Sequence, residues 1–456
     1  RNVSIASKTD SNSIKIAFAG PLSGKAVHKG QEMLDGVRMY IEKVNLKGGI
    51  NGKKIELLVF DDEYDKEVAR EKANEIAYNT DALIVLGHRS SAACLAAGEV
   101  YKKAGISAIT GTAITDEITE ENPFYFRVIP NSTLQGKLLA YYSKEILNLS
   151  YMYIIYDEDN YGSSLLNAFE KTAQELNISI NHKWSLNTKQ ENLDERIKNI
   201  AKELSEKELP EGIFLAIHDI ETVPLVKYMK EFNLDIPLIG GDSLGKDSFA
   251  ERFREFPLEK KSPGFYTDGI YAATYFIYDV ANAEAQQFRN DFRKKYNKEP
   301  GGASLSNYDA AGIAIEAIKK ADISGDNIQE DRKKIRDYLA SINSIENAFS
   351  GVTGHIFFNF DGNVVKGDAV KPLTMGMFFD QRLISAPIQL SPITNLHEVA
   401  VLKKAKEKPD DILQLDDTYL QRTKVVYTGT DIIEIKDLDL IKLTCSIDFY
   451  LWFRFQ

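Results

Sequence analysis

Short apolar runs alternate with helix-like segments along most of this chain, and the first repeat of that pattern spans residues 14–62. Residues 14–19 (IKIAFA) have the length and residue types of a buried strand. Gly20-Pro21 breaks it, and Met33, Val37, Ile41 and Val44 then recur at helical spacing. Gly48-Gly49 stops that helix, Asn51-Gly52 turns the chain, and residues 55–60 form a second apolar strand. The unit is βαβ, with Asp61-Asp62 at the exit of its second strand. Small ligands bind beside the carboxyl ends of such strands, where backbone N–H groups and helix N-termini converge.

The rhythm continues. Residues 65–79 place Ala69, Ala73 and Ile76 on one helical face. ALIVLG (82–87) is a strand, and HRSSAACLAAGEVYKKAG (88–105) is a helix with Ser90-Ser91 at its start, where hydroxyls cap exposed N–H groups. Residues 106–119 repeat the strand and turn. MYIIYD (152–157), ISINHKWSLN (178–187), IFLAIHD (213–219) and PLIGGD (237–242) are further strands. This alternation predicts parallel sheets with helices on both faces.

Later the pattern changes. Residues 351–378 read as twisted hairpins broken at Asp361-Gly362 and Lys366-Gly367. APIQLSPI (386–393) is extended and Pro-bearing like a linker, and 399–411 is charged and mixed. The tail holds two strand-like runs, with apolar residues alternating at Ile441, Leu443, Cys445, Ile447, Phe449, Leu451, Phe453 and Phe455. Such a strand leaves an apolar edge, which predicts the opening of a further domain. A terminal hairpin packed on the preceding lobe is the competing reading.

At 456 residues the chain has room for two or three domains. Apolar residues at 43% and charged residues at 27% suit a soluble protein with a full core. A net charge of -11 disfavours nucleic acid or an anionic membrane as the main partner. No apolar run reaches the ~18 residues a bilayer span needs. Cys94 and Cys445 exclude a disulfide framework and leave a single bridge open.

AFAGPLSG (17–24), NLKGGINGKKIELLVFDDE (45–63) and VLGHRSSAA (85–93) closely resemble periplasmic binding proteins of the branched-chain amino-acid type, in order and spacing to about Phe379. The resemblance implies an α/β, two-lobed type I periplasmic-binding fold, with parallel sheets flanked by helices and a C-terminal, mostly β extension. It divides the chain into first-lobe residues 14–128, second-lobe residues 129–264, a first-lobe return at 265–345, a second-lobe return at 346–385 and an extension at 386–456. Crossings between lobes are expected at 124–131 and 263–271. The implied function is extracytoplasmic capture of a small amino acid-like ligand by lobe closure. The implied partner is an ABC permease or a fused membrane domain, and no cofactor, metal or nucleic acid is implied. The tail also resembles the opening strands of the extracellular domain in pentameric ligand-gated channels. The first residues, RNVSIASKTDSNS, carry no signal peptide, as expected of a periplasmic or extracellular protein after processing.

Site residues follow from the same resemblance. Ser91 matches the family's carboxylate-binding serine, with Arg89 and Ser90 beside it; Arg89 has an alternative partner in Asp61 or Asp62. Thr112 and Ala113 match an anchoring loop whose backbone faces the ligand, and Ile114 replaces a hydroxyl residue there. Tyr161 matches an aromatic wall, and Asp242 falls where the family places the ammonium's acidic partner. His218 stands where an aromatic ring is common. Lys29, in place of a tyrosine, reads as a solvated lysine at the cleft mouth or as a partner for a second anionic group. Some relatives close a small first-lobe loop by a disulfide; Tyr64 and Ser90 stand at those positions.

Catalytic patterns are lacking. The acidic clusters at 61–62 and 157–159 have no metal-ligand spacing with histidines, and GPLSG is not a nucleophile elbow. The nearer alternative ligand is an aromatic or aliphatic carboxylate without an amine, which Ile114 would suit. A hydrolase or lyase on the same lobes is the remote one.

Overall fold

The computed structural model describes residues 13–360, 365–393, 412–415, 418–439 and 441–454. Strand β1 (Ser13–Gly20) runs parallel to β2 (Lys54–Asp61) over eight paired residues, and β3 (Ile84–Gly87) lies on its other side. β4 (Ser107–Thr110) and β5 (Tyr125–Arg127) extend the sheet. The helix Val27–Leu46 buries Met33, Val37, Ile41 and Val44, the face the spacing predicts. Its Gly36 touches the helix Gly302–Lys320 so closely that a Cβ there would sit 2.1 Å from Ser304 O.

A second sheet restarts the pattern with β6 (Tyr151–Asp157), β7 (Ser179–Leu186), β8 (Gly212–Ala216), β9 (Leu238–Gly240) and β10 (Tyr271–Thr274). Within each sheet the parallel strands run 2-1-3-4-5 in order of appearance. That order reverses beside the first strand of each lobe, and a crevice opens there at the carboxyl ends. The two crevices face each other.

The returns fall elsewhere than the sequence reading puts them. β10 belongs to the second sheet, so the 265–345 segment reaches the first lobe only with the helices Ala283–Tyr296, Gly302–Lys320 and Ile328–Ser341. The 263–271 stretch leads into β10 and stays in the second lobe, so that crossing follows Thr274 instead. β11 (Phe349–Gly351) and β12 (Gly354–Ile356) form a small hairpin. β13 (Phe358–Phe360) and β14 (Val365–Ala369) join the first sheet, leaving β15 (Thr374–Phe379) and β16 (Arg382–Ser385) as the second-lobe return. Two features hold β14 to β5. Gly367 lets the backbones meet, since a Cβ there would lie 2.1 Å from Tyr125 O, and Asp368 takes the Nε–H of fully buried Arg127 at 2.9 Å.

A C-terminal β extension is present. β17 (Ile388–Pro392), β18 (Ile412–Leu415) and β19 (Thr418–Lys424) form an antiparallel sheet on the second lobe, burying Leu390 and Leu420 beside Leu138 and Leu139. β20 (Tyr427–Asp439) and β21 (Thr444–Arg454) make a ribbon whose residues are exposed along most of its length. Its base reaches the second lobe through Tyr427 OH to Ser385 O at 2.5 Å and Arg454 over the Phe379 ring. The Asp361-Gly362 break, the 399–411 segment and Phe455 lie outside the described residues. Cys94 is buried, Cys445 is exposed, and both are free.

Candidate ligand-binding cleft

Nearly every polar residue between the lobes follows a strand end. Lys29 comes after β1, Tyr64 after β2, Arg89 to Ser91 after β3, and Thr112 and Ala113 after β4. From the other side come Asp159 and Tyr161 after β6, His218 and Asp219 after β8, Asp242 and Lys246 after β9, and Tyr275 after β10. Together they line a cavity of about 1360 Å³, larger than the ~300–1,000 Å³ usual for small-molecule sites.

On the first lobe, a buried network fixes the loop after β3. His88 Nδ1 lies 2.7 Å from Asp62 Oδ2 and its Nε2 lies 2.9 Å from Tyr101 OH. Asp61 accepts the N–H groups of Leu22 and Glu63. Both aspartates are thereby engaged, and Arg89 pairs with neither. Its guanidinium makes no ion pair with any described residue. Ser90 Oγ accepts the Ala93 N–H at 3.2 Å and so caps the helix Ser91–Ala104. Ser91 is buried at the cleft wall, with no hydrogen bond from its hydroxyl to a described residue.

The second lobe presents acceptors. Tyr161 OH donates to Asp242 Oδ1 at 3.2 Å and accepts the Ser243 N–H at 3.2 Å. The Tyr161 ring stacks on His218 at 4.7 Å between centroids. Burial pushes the Asp242 carboxyl upward, against the pull of Lys246 and the Tyr161 hydrogen bond. A ligand ammonium beside Asp242 would relieve that penalty. Burial lowers the His218 pKa, but Asp159 Oδ2, 2.8 Å from its Nε2, outweighs it and raises the value on balance. Asp157 beneath is pushed up to about 7, chiefly by burial.

One ion cluster spans the cleft. Asp219, 1% exposed, lies 3.3 Å from Lys29 Nζ of the first lobe, and 2.8 Å and 3.4 Å from Arg252 Nη2 and Lys246 Nζ of its own. Burial opposes its ionisation, yet these three cations hold Asp219 far below the usual carboxylate range. Lys29 is pushed down to about 8, first by burial and then by Arg89 and Lys246, with Asp219 opposing.

A family model described as periplasmic binding protein matches residues 13–369. The chain belongs to the periplasmic binding protein family. A leucine-, isoleucine-, valine-, threonine- and alanine-binding protein of Pseudomonas aeruginosa is 24% identical over 363 residues, 78% of this chain and 88% of that protein. A leucine-specific-binding protein of Salmonella typhimurium is 31% identical over 168 residues, 37% of this chain and 45% of its own length. Among solved structures, the branched-chain amino acid transporter substrate binding protein LivJ from Streptococcus pneumoniae, in complex with isoleucine, superposes with a TM-score of 0.70 at 22% identity, covering 82% of this chain and 98% of that one. A solute binding protein from R. palustris in complex with benzoate gives 0.67 at 18% identity, covering 82% and 95%.

In this periplasmic binding protein, Arg89, Ser90, Ser91, Thr112, Ala113, Tyr161, His218 and Asp242 all line one cavity. Ile114 does not. It is fully buried with Ile129, Leu138 and Leu139, because the chain turns into the hinge at that point. The Thr112 and Ala113 N–H groups each lie 3.2 Å from Thr110 Oγ1, so both backbone donors have a partner inside the protein. Lys29 is buried and paired with Asp219 rather than solvated. Sequence reasoning missed Lys246, Arg252 and Tyr275 as cleft residues. The strand-end rule could have found Tyr275 once β10 was recognised; Arg252 sits inside a short helix and gives no local signal.

Proposed function

We propose that this periplasmic binding protein captures an amino acid or related small zwitterion between its lobes and hands it to an ABC permease outside the cytoplasm. The reading rests on one arrangement: a serine hydroxyl at a helix N-terminus, without a partner among the described residues, lines one cleft with a Tyr161–Asp242 pair from the other lobe. Donors on one wall suit a carboxylate, and acceptors on the other suit an ammonium. Neither wall serves both ends of such a ligand, so binding favours the closed arrangement and shifts a pre-existing equilibrium toward it. The amino acid-binding relatives support the same assignment. No helix among the described residues is long and apolar enough to cross a membrane.

The amine-free carboxylate reading has the benzoate-bound neighbour in its favour. It draws its sequence argument from Ile114 as a cleft residue, and Ile114 lies in the core instead. A thermal-shift panel of L-amino acids, their amides and aromatic acids separates the two. We expect L-amino acids to raise the melting temperature by mass action. Stabilisation by benzoate-type acids alone would overturn the proposal.

A further inference from the structure

One cation of the cleft has no ion-pair partner among the described residues, and it points to the ligand. Four cations that are not fully exposed line the cleft: Lys29, Arg89, Lys246 and Arg252. Arg289, also there, is neutralised by Glu299 at 2.8 Å. His218 carries its own partner, Asp159.

Asp219 alone serves three of the cations, so their shared carboxylate is saturated. Arg89 remains, a guanidinium with no carboxylate partner among the described residues, and its charge acts on Lys29, His28, Tyr64 and Tyr275 together. It lines the cavity and is partly buried. A partly buried guanidinium left unpaired is costly, and a planar carboxylate satisfies it bidentately. A neutral zwitterion whose carboxylate is held at Ser91 leaves Arg89 without a partner. A ligand with a second carboxylate supplies that partner.

We propose that the cognate ligand is an amino acid with an acidic side chain, whose second carboxylate is held by Arg89 beside the Lys29–Asp219–Arg252 cluster. This rests on the amino acid reading above and narrows it. Asp242 and Tyr161 hold the ammonium, Ser91 holds the α-carboxylate, and Arg89 distinguishes a dicarboxylic amino acid from its amide. One charge-assisted contact of this kind is worth about 10- to 100-fold in affinity.

Isothermal titration calorimetry with L-glutamate, L-aspartate, L-glutamine and L-leucine tests it. The expected result is L-glutamate or L-aspartate binding at least about tenfold tighter than L-glutamine. In Arg89→Gln that margin should collapse. The wild-type ratio stands by itself should the variant fail to fold. L-glutamine or L-leucine binding as tightly as either acidic amino acid, or a folded Arg89→Gln that keeps the full margin, would overturn the acidic class and leave the amino acid reading standing. Absence of binding by all four would overturn both.

Discussion

Lys29 shows how a residue's meaning depends on the lobe opposite it. Burial lowers its pKa to about 8, Asp219 opposes, and Arg89 and Lys246 add to the effect, with His28 and Arg252 nearby. Between about 8 and the usual lysine value the folded state therefore binds fewer protons at Lys29 than the unfolded chain. Charged Lys29 costs stability below about 8, and that cost is relieved as the pH rises. An anionic ligand group beside it reverses the balance by pulling the pKa up, so that binding takes up a proton. Affinity for L-glutamate should then fall as the pH rises from 7 to 9, while L-leucine, with no second anionic group, should show a shallower dependence; calorimetry across that range measures both. Parallel profiles for the two would contradict the placement of an acidic group near Lys29. At this scale the sequence was only partly legible. Ser91, Tyr161 and Asp242 stood out because each follows a strand end in a family-like context. Lys29 and Asp219 lie 190 positions apart, and only the closed fold makes them partners.

At the scale of elements, the parallel strands and their helices could be read from apolar runs and helical spacing, because each satisfies its own local pattern. The lobe assignment of the late strands could not. β13 and β14 are three and five residues long, and nothing local says which sheet edge will take them. Arg127 decides it. Its guanidinium is fully buried and donates to Asp368, to Ala113 O at 3.2 Å, to Thr115 O at 2.9 Å and to Thr119 Oγ1 at 3.0 Å. One side chain thus ties β14 to β5 and shapes the loop that carries Thr112 and Ala113. Arg127→Ala strands Asp368, 13% exposed at its side chain, without its cation, and should cost about 3–5 kcal/mol in a denaturant melt. It should also weaken ligand binding. A variant of unchanged stability would show that β14 is held by backbone pairing alone.

For the whole molecule, the cleft exists because two sheets of the same 2-1-3-4-5 order present their carboxyl ends to each other. Polar contacts cross the gap. Lys29 meets Asp219 at the cleft, and Thr115 Oγ1 meets Asn160 O at 3.1 Å near the hinge. A seam of this kind suits reversible closure, since a solid apolar interface would hold the lobes shut with or without a guest. The β20–β21 ribbon stands apart from this machinery, touching the second lobe at its base.

Amino acid capture in this cleft depends most on the ammonium site. Calorimetric titration of wild type and Asp242→Ala with L-glutamate and with glutarate, its amine-free counterpart, tests that site directly. The substitution should abolish L-glutamate binding and leave glutarate within a few-fold of its wild-type affinity. Equal losses for the two ligands, or undiminished L-glutamate binding in the variant, would contradict that dependence.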